Sequence, residues 1–251
     1  MKNNFQKYDI LEFCNEIADF HGKPLVKDEY LDLEKFPLQE KQCIYILNWS
    51  LPAITYTRGV KDLLGYTDNE FTLNVALTNI HPDDLDLANR ITRATVSHCC
   101  KHGNSRDSYL NVTYRIKRKD GIFIKVLRQS GLYLGDENNN LISNYSVLTD
   151  ISFMNYGNTV DWEIKANELN TKNFHSEIYK EFSTLFSKRE KEIILQIHDG
   201  LSNSDISKKL NLSPHTVSTH RKNILRKSNC NSKESLIFFC IRNGVIQSSK
   251  F

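Results

Sequence analysis

No apolar run in the chain is longer than Leu236 to Ile241, far short of the roughly 20 residues that span a bilayer. The opening stretch MKNNFQKYDILEF lacks the apolar core of a signal peptide, so a cytoplasmic protein without membrane contact is expected. The six cysteines, Cys14, Cys43, Cys99, Cys100, Cys230 and Cys240, form no C-x-x-C pair and no Cys/His cluster at zinc spacing. No metal site is expected, and the thiols read as reduced and mostly buried. Catalytic signatures are missing as well: there is no phosphate loop, no G-x-G-x-x-G, no H-E-x-x-H and no nucleophile elbow. An enzyme is therefore not expected. The N-terminal half also lacks the alternating β-α pattern of a phosphoacceptor receiver domain.

What is present is the composition of an ordinary folded protein, 39% hydrophobic and 25% charged, over 251 residues. That length suggests two domains. The net charge of +3 conceals an asymmetry: residues 187–251 hold 12 basic and 5 acidic side chains, net +7, against 21 and 25, net −4, for the remainder. A small basic domain beside a mildly acidic one points to a polyanion partner for the former.

The basic part reads as four helices. Ser187-Lys-Arg-Glu190 has capping-box spacing, Ile193, Ile194 and Ile197 form an apolar stripe, and Gly200 supplies a stop. Ser202-Asn-Ser-Asp205 repeats the capping pattern ahead of Ile206 and Leu210, and a short turn follows through Asn211 and Leu212. Ser213-Pro214 then starts a third helix, with proline at the first position where its missing N–H costs nothing. Val217, His220 and Ile224 face inward on it, and His215, Ser218, Thr219, Lys222 and Arg226 share the opposite face. Lys and Arg there can donate to guanine, and Ser or Thr can bond base edges of either kind. Thr216, Asn223 and Lys227 on the flanks can reach phosphates. A basic helix that is the second of a tightly turned pair has helix-turn-helix character.

Residues 183–246 resemble the DNA-binding domain of LuxR/FixJ-type regulators, through Arg189-Glu190, Gly200, Ser202-Asn203, Ile206, Leu210, Ser213, Thr216-Val217, His220, Ile224, Lys227 and Gly244. The resemblance implies base contacts from Ser218, Thr219 and Lys222, with backbone contacts nearby. The expected DNA-binding set is Ser213, Thr216, Ser218, Thr219, Lys222, Asn223, Arg226 and Lys227. The chain departs from the family at Ser218, where Lys is frequent, and at Ser204-Asp205, where Lys-Glu is frequent. The operator is not inherited with the resemblance. A fourth helix, Ser232 to Asn243, is apolar on all sides and exceeds what a small domain can enclose. The family dimerises through this helix, which implies a homodimer interface at Leu236, Phe239, Cys240 and Asn243, reading two half-sites about one turn of double-stranded DNA apart.

Upstream, Leu110, Val112, Tyr114 and Ile116 alternate with polar residues, the mark of a half-buried antiparallel strand. Lys119-Asp-Gly121 gives a turn signal, Ile122 to Leu134 reads as the returning strand, and Leu141 to Phe153 completes a meander. A more helical stretch, Pro82 to Cys100, precedes it. Leu64-Gly-Tyr66, Ile80-His-Pro-Asp-Asp84, Tyr114-Arg-Ile116, Lys119-Asp-Gly121 and Leu148-Thr-Asp-Ile151 resemble, in order, the signatures of a PAS domain. The implied fold class is α+β: a PAS-like five-stranded antiparallel sheet with flanking helices, plus an all-α four-helix helix-turn-helix domain. The PAS resemblance implies either a small-molecule ligand or a protein partner, without naming a cofactor. His81 reads as a helix cap and not a ligand. Cys99-Cys100 are without basic neighbours at helix-turn geometry and read as inert, and the Asn-Cys-Arg run of flavin-binding relatives is absent.

The expected organisation is a helical extension (1–42, with Ile10, Phe13, Cys14 and Ile17 at helical spacing), a PAS-like sensor (43–153), a partly helical linker (154–182) and the helix-turn-helix domain (183–251). In the linker, Phe174, Ile178, Phe182 and Leu185 continue the amphipathic spacing, which would let it couple signal to DNA binding. The expected function is sequence-specific transcription regulation controlled by a sensed small molecule or partner. The alternative is a protein-interaction module whose helix-turn-helix contacts another regulator.

Overall fold

The computed structural model describes residues 10–21, 30–105, 107–154 and 157–246. These divide into two compact units, one ending at Phe174 and the other beginning at His175. The outermost parts of the expected extension and C-terminal domain, 1–9 and 247–251, lie outside the described residues, as does the side chain of Ile10.

The first unit begins with α1 (Ile10–His21), which buries Phe13, Cys14 and Ile17 as their spacing predicts. A short α2 (Leu31–Glu34), the hairpin of β1 (Gln42–Asn48) and β2 (Ala53–Arg58), and helices α3 (Val60–Leu64), α4 (Leu73–Thr78) and α5 (Pro82–Cys99) follow. The meander is β3 (Tyr109–Lys117), β4 (Phe123–Gly135) and β5 (Leu141–Asp150). On β3 burial alternates strictly, with Leu110, Val112, Tyr114 and Ile116 inside. The Asp-Gly signal does turn the chain: Gly121 adopts a left-handed φ of +88°. The Ile122 amide there donates to the Asp120 carboxylate at 3.0 Å. That turn sets the register Lys117↔Phe123.

Among the described residues the sheet holds six strands, ordered β2-β1-β5-β4-β3-β6, instead of the five expected. The sixth, β6 (Trp162–Lys165), comes from the segment read as linker and pairs antiparallel with β3. Its pattern, Trp-Glu-Ile-Lys, is only four residues long, too short for period 2 to stand out in sequence.

His81 caps α5 through its ring, with the Asp83 amide donating to Nδ1 at 3.2 Å and Pro82 at the first helical position. One turn in, Asp84 is 1% exposed and takes both prongs of the Arg115 guanidinium, at 2.6 and 2.9 Å, plus the Arg115 amide at 2.8 Å. This pair ties α5 to β3.

Helix α6 (Thr171–Ile178) crosses the division between the units, and in the second unit α7 (Lys180–Ser183) precedes α8 (Lys188–His198), α9 (Asn203–Leu210), α10 (Pro214–Ser228) and α11 (Lys233–Arg242). Ile193, Ile194, Ile206, Val217 and Ile224 reach 0% exposure at the centre of one core, each worth roughly 1.5–3 kcal/mol of burial. Ile178 and Phe182 are buried and Leu185 packs partly buried.

Candidate nucleic-acid interface

The helix pair at the heart of the second unit is assembled by local chemistry. Before α8, Ser187 and Glu190 form a reciprocal capping box. Ser202 caps α9 by accepting the Asp205 amide at 3.2 Å. That helix ends at Asn211, whose φ of +52° is left-handed. Only Leu212 separates it from Ser213, which accepts the Thr216 amide at 3.0 Å and caps α10. Each terminus thus satisfies its own orphan backbone groups, and the turn is tight because stop and start signals nearly touch.

Packing then selects the outer face of α10. Val217 and Ile224 are fully buried, while His220 is half-buried and not enclosed. His215, Thr219, Lys222 and Arg226 are exposed at intervals of four, three and four residues, which places them in one stripe along the helix. Ser218 and Asn223 flank it half-buried, and Asn223 accepts from the Arg226 guanidinium at 3.2 Å. At the helix start the Ser213 and Thr216 hydroxyls are 2.8 Å apart.

Not every cation of α10 serves that stripe. The Lys227 ammonium lies 2.6 Å from Glu190 Oε2, and the Arg221 guanidinium donates to Asn203 Oδ1 of α9 at 2.9 Å. Arg189 pairs with Glu192 at 2.6 Å and also donates to the Leu210 carbonyl at the end of α9. These three side chains brace the helix pair from within. Sequence spacing shows only the i,i+3 pair Arg189–Glu192; the contacts to Glu190, Asn203 and Leu210 join different helices and do not follow from it. Among the described residues no partner holds Lys222.

The four residues expected at a dimer interface lie on α11 and at its C-cap, turned into their own domain. Leu236, Phe239, Cys240 and Asn243 are 1, 8, 0 and 1% exposed inside their own domain, and the Asn243 amide donates to the Phe239 carbonyl at 3.0 Å. Phe182 and Phe186, from the chain before α8, pack edge-on against Phe239 at ring separations of 5.7 and 6.4 Å. An evenly apolar helix gives no periodicity to say which face points inward, and these aromatics decide it. Phe238 lies on another face, half-buried with the Arg242 guanidinium 5.6 Å from its ring.

In the first unit a cavity of about 80 Å³ lies between the sheet and helices α4 and α5, with Leu77, Ile80, Val96, Tyr114, Arg128 and Ser146 among its lining. Cys99 lines it too, and burial pushes the Cys99 and Cys100 thiols up to about 12, far from thiolate formation at neutral pH. Among the described residues no three His, Cys, Asp or Glu side chains converge as metal ligands. No described helix is long and apolar enough to cross a membrane.

Comparison with known proteins agrees with both units. Residues 184–240 match the family of bacterial regulatory proteins of the luxR type, and residues 53–148 match the PAS fold. The uncharacterized transcriptional regulatory protein YxjL of Bacillus subtilis is 43% identical over 68 residues, 27% of this chain and 31% of that protein. The chain thus spans about a third of YxjL's length. The transcriptional regulatory protein DegU of Brevibacillus brevis is 25% identical over 210 residues, 81% of this chain and 75% of its own. Among solved structures, the phage VqmA-DPO complex covers 93% of this chain and 92% of its own at 12% identity, with a TM-score of 0.32. At so low a score the likeness establishes nothing further. The chain therefore joins a PAS-fold domain, residues 53–148, to a regulatory domain of the bacterial luxR family, residues 184–240.

Proposed function

We propose that the protein is a cytoplasmic, non-enzymatic transcription regulator that binds double-stranded DNA as a homodimer under control of its PAS-fold domain. The exposed stripe of His215, Thr219, Lys222 and Arg226 carries this reading. It lies on the second helix of a braced, tightly turned pair, the element that enters the major groove in helix-turn-helix proteins. Thr219 and Lys222 are suited to base edges, with Ser218 beside them, and Ser213, Thr216, Asn223 and Arg226 to the backbone. Lys227 contributes to phosphate contact only by leaving Glu190.

The PAS-fold domain would report a small molecule or a partner. Control would pass through the chain of 154–182, which joins the two domains and sets whether two DNA-binding heads match the half-site spacing. Selection from random duplexes tests the DNA-binding reading: the wild type enriches a two-fold symmetric motif, and Lys222→Ala loses it.

A second reading, in which the helix pair docks on another regulator, is favoured by Ser218, a hydroxyl where the family frequently has a cation. Salt distinguishes the two. A DNA binder making 6–10 phosphate contacts loses about 10³ to 10⁵ in affinity between 50 and 200 mM salt; a protein binder shows no such slope on DNA.

A further inference from the structure

The helix-facing side of β4 reads Ile124, Val126, Arg128, Ser130, Leu132, so a cation occupies a position that the alternation reserves for apolar side chains. Arg128 stands between Val112 of β3 and Leu148 of β5, with Cys43 of β1 beyond, all three buried. One guanidinium prong donates to Thr92 Oγ1 of α5 at 2.8 Å. The group also lies 5.7 Å from the Tyr114 ring. Its Nε is buried with no hydrogen-bond partner, and among the described residues no carboxylate pairs with it. Arg115 and Arg90 differ: each has its own aspartate, at 2.6 and 2.9 Å. Burial works against the Arg128 charge, but the phenols of Tyr114 and Tyr45 outweigh it, and its pKa lies above the ordinary value. The result is a permanent, half-buried cation whose partners, Thr92 and the Tyr45 and Tyr114 phenols, are all neutral, with no counter-ion among the described residues.

Arg128 lines the 80 Å³ cavity, a volume well above the roughly 10–15 Å³ that one water occupies. Beside it are the Ser130 and Ser146 hydroxyls, 2.8 Å apart, and Asn144, whose Oδ1 accepts from the Trp49 indole at 2.8 Å. The lining also includes the aliphatic Leu73, Leu77, Ile80 and Val96. The cavity thus offers one half-buried cation and several hydroxyl and amide groups together with aliphatic surface. The only other lysine or arginine on the lining, Lys165, is 60% exposed and pairs with Asp107 at 3.6 Å. One half-buried positive charge with a buried Nε balances one negative charge, and a planar guanidinium fork matches a planar carboxylate.

We propose that this cavity binds a small amphiphilic monocarboxylate, its carboxylate on Arg128 beside Thr92 and its apolar chain against Leu73, Leu77 and Ile80. The assignment deepens the sensing role proposed above and rests on it for any consequence at the DNA. Full-length protein is titrated calorimetrically with butanoate, hexanoate and octanoate, and with the primary alcohol of each chain length. At least one acid binds tenfold or more tightly than its alcohol, and Arg128→Met abolishes that binding. Arg128→Lys keeps the charge but loses the fork; it weakens the acid at least tenfold and covers the case in which the methionine variant fails to fold. Equal binding of acid and alcohol, binding by no acid, or full acid affinity in Arg128→Lys overturns the proposal. DNA affinity with and without saturating acid is read separately. Acid binding that leaves DNA affinity unchanged supports the ligand assignment and refutes control through it. Alcohols that bind as tightly as the acids and shift DNA affinity refute the ligand class and leave control standing.

Discussion

The Lys227 ammonium sits 2.6 Å from Glu190 Oε2, the same oxygen that accepts the Ser187 amide at 2.8 Å. One carboxylate therefore closes the start of α8 and anchors the end of α10, so the capping box also helps to orient the recognition helix. Burial alone would raise the Glu190 pKa, but the bonds from Lys227 and Ser187 outweigh it and hold the pKa below the ordinary value of 4.5.

Glu190→Gln should lower stability at neutral pH by about 1–3 kcal/mol, the range for a lost charged hydrogen bond. The sign follows from linkage: a depressed carboxyl pKa stabilises the fold above the unfolded value, and that stability is lost as pH falls through the folded value. Denaturant melts of the two proteins should differ most at pH 7 and converge below pH 4.5. A gap that persists unchanged into acid would show that the charge is not the cause.

Asp84→Ala should destabilise the PAS-fold domain by about 3–5 kcal/mol, the cost of leaving one partner of a buried ion pair alone. Asp84 is 1% and Arg115 14% exposed at the side chain. Asp84→Asn should recover part of the loss by keeping an acceptor. Chemical denaturation checks both, and a loss under 1 kcal/mol would contradict the anchoring role.

Native Cys99 and Cys100 should resist alkylation, since burial raises both thiols to about 12. Cys230 is only half-buried and should react first. Mass-spectrometric mapping after brief iodoacetamide treatment at pH 8 reads the order directly. Rapid modification of Cys99 or Cys100 in the folded protein would reopen a thiol-based signal.

Phe238→Glu should weaken self-association at least tenfold while leaving the melting temperature within a few degrees, if the face of α11 outside the core meets a second copy. Sedimentation of the full-length protein at several concentrations measures this. Unchanged association would move the dimer contact elsewhere.

The second domain was legible because its signals are local. Ser187, Ser202 and Ser213-Pro214 mark helix starts within a few residues of the groups they cap, and β3 shows itself in the alternation from Leu110 to Lys117. What sequence left hidden depends on partners distant along the chain. Asp84 and Arg115 are 31 residues apart, and Lys227 meets Glu190 across 37, so neither ion pair follows from spacing. Strand β6 was too short to show a period. An all-apolar helix such as α11 carries no directional information in sequence; Phe182 and Phe186, packed edge-on against Phe239, show only in the fold which face turns inward. Arg128 was concealed within a strand whose turn and length were otherwise correctly placed.

The central claim is that the exposed stripe of α10 reads DNA sequence, and the most direct measurement is the ratio of affinities for a selected duplex and a scrambled one. It should be taken for wild type and Lys222→Ala across a salt series. Loss of a base-reading lysine should cost about 1–3 kcal/mol of that ratio and leave binding to the scrambled duplex nearly unchanged. A ratio equal in both proteins would contradict base reading by this stripe, and wild-type binding that is absent at low salt would contradict the DNA-binding function itself.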